Sequence, residues 1–274
     1  MNEQYIEVAK FGGTSVCHPD IVTAQIETID PNIVVVSAPG KNPADGMHTK
    51  VTDMLMPYEE FIDRNAIRQR FQAIGAPQAV TDGIWPNLRE WGMRGFPRQA
   101  LGEYWSAQTY AHHTDRTFVD AAQIIRFNPD GSFNARVTDQ LIQAQLDPDE
   151  RYVVPGFYGS DETGRIHVFP RGGSDITGAI IARALGTIGT YYNCSDVDGF
   201  MTDNPRINPD AELIEAMTYE RALRFADQGC ELLHPEVCRI LGDTAIRTIM
   251  CNTFGALGNR GTVVSRSLET VEVV

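Results

Sequence analysis

Residues 5–15 read YIEVAKFGGTS. From Tyr5 to Lys10 the pattern suits a strand, Gly12 and Gly13 interrupt it, and a helical stretch is expected from near Pro19, where proline fits a first turn. The order is strand, glycine turn, helix. A second strand over residues 32–37 carries Ile33-Val34-Val35-Val36, too uniformly apolar for a sheet with one wet face and suited to a parallel strand covered on both sides. It ends at Ala38-Pro39-Gly40.

Further along, helical spacing dominates between about residues 49 and 73, then Pro77, Gly83 and Pro86 predict a loop leading to a helix over 97–112. Short strands are expected at 117–120 and 124–127. Residues 151–155 and 165–169 read as a hairpin around a polar turn at 159–164. After Gly172-Gly173-Ser174-Asp175 a helix should reach Leu185, followed by a strand at 189–193, so a glycine turn again joins strand to helix. A helix over 218–227, another from Pro235 capped by His234, and a strand over 245–251 complete the alternation. That alternation predicts a layered α/β sandwich with a mostly parallel sheet. One compact domain over 1–274 is the expectation, with nucleotide-binding and substrate-binding parts inside it.

Composition narrows the function classes. The 274 residues carry 36 acidic and 23 basic side chains, a formal charge of −13, with 42% apolar residues, which describes a soluble globular protein. No run approaches the roughly 18 apolar residues that a membrane span requires. The start, MNEQYIEVAK, lacks the basic and apolar regions of a signal peptide, so a cytoplasmic location is expected. Five cysteines, an odd number without a CxxC pair, suggest neither a disulfide framework nor a zinc ribbon. Lysines and arginines form no run, so neither nucleic acid nor a membrane surface is an expected partner. A small anion fits if a few cations converge on it.

The sharpest candidate site is Lys10-Phe11-Gly12-Gly13-Thr14-Ser15. Glycines let backbone N–H groups approach an anion, and a lysine supplies the charge that stabilises a transferring phosphoryl group. It is not a Walker A loop, because the lysine precedes the glycines, and such a turn also serves as a plain structural corner. Arg171-Gly172-Gly173-Ser174-Asp175 offers a guanidinium for a substrate carboxylate and an aspartate to orient Lys10 or an amine; an Arg–Asp pair pinning a loop is the simpler alternative. Gly102-Glu103 with Ser106 could bind an ammonium, although most helix glutamates are merely solvated. The acidic turn from Ser195 to Gly199, continuing to Arg206, could hold a nucleotide. Histidines show no metal-ligand spacing, no metal site is expected, and a GxSxG elbow is missing.

Together these segments resemble the catalytic domain of aspartate kinases, in the amino acid kinase superfamily. The resemblance covers nearly the whole chain: KFGGTSV (10–16), VVSAPGK (35–41), KVTDML (50–55), LGEYWSA (101–107), VPGFYGS (154–160), RGGSD (171–175), SDVDGFMTDNPR (195–206), GCELLHPE (229–236) and GT (261–262) follow in the family's order. It implies a three-layer α/β/α sandwich and transfer of the γ-phosphoryl of Mg-ATP to the side-chain carboxylate of L-aspartate. It implies that Lys10 stabilises the phosphoryl group, that Gly12, Gly13 and Thr14 line the phosphate turn, and that Ser37 and Thr52 lie near the substrate. Glu103 would receive the substrate amino group, Arg171 its carboxylate, with Gly172, Gly173 and Ser174 beside it, and Asp175 would organise Lys10. Ser195, Asp196, Met201 and Arg206 would hold ATP.

Several positions depart from the family pattern. Ser195 replaces a usual threonine, Met201 an aromatic residue seen in some relatives, and Glu231 a lysine that in many relatives offers a potential ATP-phosphate contact. The chain also ends twelve residues after Thr262, where relatives continue into ACT modules, so feedback by that route is not expected. A homodimer, or an assembly with a separate regulatory subunit, is the corresponding expectation. Two other functions stay open: a kinase for another carboxylate acceptor, with residues 77–100 reshaping the pocket, and a non-catalytic binding subunit, hinted at by Glu231 and Asn204.

Overall fold

Tyr5–Phe11 form the first strand, and its side chains divide between two apolar layers. The computed structural model describes residues 5–56, 59–186, 188–203, 207–230, 232–256 and 261–268. Its first half comprises β1 (Tyr5–Phe11), α1 (Pro19–Ile29), β2 (Ile33–Val36), α2 (Val51–Met54), α3 (Arg64–Ala73), α4 (Gln78–Met93), α5 (Leu101–His113), β3 (Thr117–Phe118), α6 (Ala121–Ile124) and α7 (Ala135–Gln145). Then follow β4 (Tyr152–Pro155), β5 (Tyr158–Ser160), β6 (Ile166–Val168), α8 (Gly173–Leu185), β7 (Ile188–Ser195), β8 (Ala216–Thr218), α9 (Tyr219–Asp227), α10 (Pro235–Leu241), β9 (Ala245–Asn252) and β10 (Val263–Ser265).

Eight strands form one sheet in the order β3-β4-β2-β1-β7-β9-β10-β8. Neighbours run parallel except β10 against β9. The run 33–36 is buried throughout, as its composition requires: Ile33 and Val35 enter one apolar layer with α3, α4, α8 and α10, while Val34 and Val36 enter the other with α1 and part of α5. Helices therefore cover both faces, and the three-layer α/β/α expectation holds. From β1 the chain moves outward to β2 and β4, whereas β7 and β9 lie on the other side. The strand order thus reverses between β1 and β7, and at such a switch point the carboxyl ends of strands leave a crevice.

Three local expectations are corrected. Residues 78–93, read as a loop on account of Gly83 and Pro86, form helix α4 with Pro86 inside it. Val80, Ile84, Leu88 and Trp91 fall on one buried face, and their burial offsets the hydrogen bond that exposed Pro86 cannot donate. The hairpin read at 151–155 and 165–169 consists instead of β5 and β6, while β4 joins the large sheet beside β2. Phe157, at φ 81°, turns the chain out of the sheet between β4 and β5. Finally, 124–127 is not a strand: Asp120 caps α6 by accepting from Ala122 N at 3.0 Å, and only isolated bridges at Arg126 and Phe127 follow. Helix α7, begun by Asn134 accepting from Val137 N at 3.1 Å, was not anticipated.

Candidate active site

Lys10 is the penultimate residue of β1, and the parallel register sets it between Val35 of β2 and Asn193 of β7. That is the carboxyl edge of the switch point. Only 7% of Lys10 is exposed, and a buried ammonium requires a compensating charge. Asp175, in the first turn of α8, supplies it with Oδ1 2.7 Å from Lys10 Nζ. Asn193 Nδ2 donates to the same carboxylate oxygen at 3.3 Å, and Tyr191 OH donates to the Asp175 carbonyl at 3.2 Å. Two strands and one helix thereby fix one ion pair. Asn193 was missed in the sequence, since only strand register sets it opposite Lys10.

The turn after β1 is held from both sides. Gly12 N–H donates to Cys194 O at 3.1 Å, and a Cβ on Gly12 would lie 3.5 Å from Lys10 Nζ. Gly13 packs against the 38–40 loop so closely that a Cβ there would lie 3.0 Å from Ala38 O, and Gly40 N–H donates to Gly13 O at 2.7 Å. Behind the turn, Ser15 Oγ and Thr253 Oγ1 are 2.7 Å apart, tying it to the end of β9. Among the described residues the amides of Gly13 and Thr14 have no hydrogen-bond acceptor, so they are free for an anion.

The opposite wall is α5. A Cβ on Gly102 would meet Ala38 Cβ at 2.6 Å, so the glycine lets this helix press on the same loop. Glu103, 5% exposed, follows it, and burial raises its pKa to about 8 against the partial relief of a backbone hydrogen bond from Ala38. Its Oε2 is buried without a partner, as is Ser106 Oγ one turn on. A ligand ammonium would satisfy such an oxygen.

The remaining candidates take these places. Arg171 is exposed on the turn before α8; Gly172, at φ 82°, caps that helix, and Gly173 and Ser174 are buried in its first turn. Ser37 N–H donates to Phe11 O at 3.1 Å, beside Lys10, and Val51 N–H donates to Pro39 O at 3.0 Å, which brings Thr52 to the 38–40 loop. Ser195 ends β7, with its carbonyl accepting from Thr253 N at 2.8 Å, and Asp196 is exposed in the following turn. Met201 bridges to Leu213, next to Phe200, whose N–H donates to Thr262 Oγ1 at 2.8 Å. Asn204, Arg206 and Glu231 lie outside the described residues. Lys10, Gly12, Gly13, Ser37 and Asp175 are thus brought together, with Thr52 on α2 and Glu103 on α5 bordering the adjoining 38–40 loop. Among the described residues no group of three His, Cys, Asp or Glu side chains could hold a metal ion, and no helix is long and apolar enough to cross a membrane.

Known proteins share much of the sequence and the fold of this chain. The chain is 29% identical to aspartokinase 3 of Bacillus subtilis over 263 residues, which is 84% of this chain and 57% of that protein. A crystal structure of Clostridium acetobutylicum aspartate kinase superposes with TM-score 0.81 at 27% identity, covering 96% of this chain and 63% of that one. E. coli aspartokinase III in complex with lysine and aspartate gives TM-score 0.78 at 25% identity, covering 97% of this chain and 66% of that one. The chain thus spans a little over half the length of the Bacillus relative. The model of the amino acid kinase family matches residues 6–252, and the chain belongs to that family.

Proposed function

We propose that this chain transfers the γ-phosphoryl group of ATP to the β-carboxylate of L-aspartate, giving 4-phospho-L-aspartate. The observation that carries the reading is the buried Lys10–Asp175 pair, 2.7 Å apart, beside a glycine turn with free amides at the switch point of a parallel sheet. The similarity to aspartate kinases supports this substrate class, as does the aspartate bound in the related E. coli structure.

A carboxylate is already nucleophilic at neutral pH, so the reaction needs no general base. What opposes it is repulsion between two anions, together with the cost of aligning them. Lys10 meets that repulsion with an ammonium held in place by Asp175 and Asn193. The Gly13 and Thr14 amides would hold the phosphate chain, and Ser195, Asp196 and Met201 the rest of the nucleotide. Glu103 would take the acceptor ammonium, and Arg171 its α-carboxylate as a bidentate partner. Mg²⁺ would fit as an ion carried by the nucleotide phosphates and water, supplying charge neutralisation, because the Asp175 carboxylate beside the turn is already paired with Lys10.

Hydroxylamine trapping of the acyl phosphate tests the reading. With ATP and a panel of acidic amino acids, coloured hydroxamate is expected with L-aspartate. Colour with a different acid instead would reassign the acceptor, and none with any acid would leave a non-catalytic binding protein.

A further inference from the structure

Behind the phosphate turn lies a cation that the reaction as described does not use. Arg70, on α3, is 5% exposed, and its guanidinium donates to Gly40 O and approaches Cys17 Sγ at 3.7 Å. Cys17 Sγ lies 3.4 Å from Gly13 O and 3.5 Å from Gly40 O. Burial raises the thiol's pKa, so at neutral pH it keeps its proton and can donate to those carbonyls. Gly40 N–H closes the cluster on Gly13 O at 2.7 Å. Two backbone carbonyls, one from each glycine corner, therefore turn inward toward one buried guanidinium and one thiol.

This has a consequence on the other side of each peptide. In a planar trans peptide the C=O and the following N–H point in opposite directions. With Gly13 O held toward Gly40 and Cys17, the Thr14 N–H faces away from them; with Gly40 O held toward Arg70, the Lys41 N–H faces away from Arg70. Neither amide has an acceptor among the described residues. Arg70 is too deep to touch a ligand itself, and the carboxylate acting on it is that of Asp45, which Asn42 Nδ2 holds at 2.6 Å.

We propose that Arg70 is a positioning residue for phosphoryl transfer: through Gly40 and Cys17 it locks the two glycine corners so that the Thr14 and Lys41 amides present a preformed cradle to the terminal phosphate. This rests on the kinase reading above. Preformed donors stabilise charge without reorganising at the moment of reaction, so loosening them lowers turnover with nucleotide more than it weakens acceptor binding.

The test compares Arg70→Lys and Arg70→Met with the wild type in thermal melts, Mg-ADP titration by calorimetry and steady-state kinetics with ATP and L-aspartate. The expected result is a 10- to 100-fold loss in kcat/KM for ATP in Arg70→Met, with KM for aspartate within threefold. Arg70→Lys should recover part of the loss, because one ammonium can reach Gly40 O but cannot also bridge to Cys17. Cys17→Ala, which removes the thiol without stranding a charge, should show a smaller loss in the same parameter. Folded Arg70 variants with kcat/KM for ATP within threefold of wild type overturn the proposal, as does a rise in KM for aspartate as large as the loss in kcat/KM for ATP. Failure of both Arg70 variants to fold overturns it too, since Arg70 is then a residue of the fold alone. Wild-type protein that binds no Mg-ADP overturns the kinase reading instead, and this inference falls with it.

Discussion

At the residue scale, Glu103 is a carboxyl group in an environment far from water. Its pKa of about 8 in the folded protein lies above the ordinary 4.5, because burial disfavours the charged form. The folded state therefore retains a proton that the unfolded chain gives up between those two values. This contribution to stability is full below about pH 4.5 and is lost as pH rises toward 8. At about 1.4 kcal/mol per pKa unit it amounts to a few kcal/mol. Urea midpoints measured from pH 5.5 to 8.5 should carry this downward slope in the wild type and lose it in Glu103→Gln; identical slopes would contradict the assignment. An acceptor ammonium needs the ionised carboxylate, so aspartate binding should tighten over the same range and the Gln variant should lose that dependence. Lys10, Asp175 and Glu103 were legible in the sequence because each lies within two residues of a glycine that marks a close approach. Asn193 and Arg70 carry no such local mark. One depends on the pairing of β1 with β7, the other on the packing of α3 behind a loop thirty residues away.

At the scale of elements, composition misled where burial overrode propensity. The helix α4 contains Gly83 and Pro86, two residues that ordinarily argue for a loop. Its buried face nevertheless holds Leu88, and Trp91 makes edge contacts with Phe96 and Tyr158. Leu88→Ala should cost about 2–5 kcal/mol in urea unfolding, the range for a core leucine. A loss below about 0.5 kcal/mol would instead mark a surface loop. The strands β1, β2, β7 and β9 were readable because each is long enough, or uniform enough in β-branched residues, to show its period. The hairpin was displaced because nothing in the composition of 151–169 reveals that Phe157 adopts a left-handed conformation and ends the run of β4. Short elements such as α6 owe their form to a cap and to neighbours rather than to their own pattern.

At the scale of the whole molecule, the proposed transfer would require a protein of net charge −13 to bring two further anions together. The proposed site lies where the sheet order reverses between β1 and β7, with Lys10 of β1 bound to Asp175 of α8 beneath a turn whose Gly13 and Thr14 amides have no acceptor among the described residues. The mostly parallel sheet and its glycine turns were legible from alternation alone. The reversal between β1 and β7, which makes the crevice, emerges only from the assembled strand order. Removing the ammonium should leave the fold while stripping the charge that the proposed transfer depends on. The direct test is kcat of Lys10→Ala at saturating ATP and L-aspartate, with a melting curve to confirm folding. Turnover should fall by about 10²- to 10³-fold, the size of losing one charge-stabilising donor. Turnover within threefold of wild type in a folded variant would contradict the account.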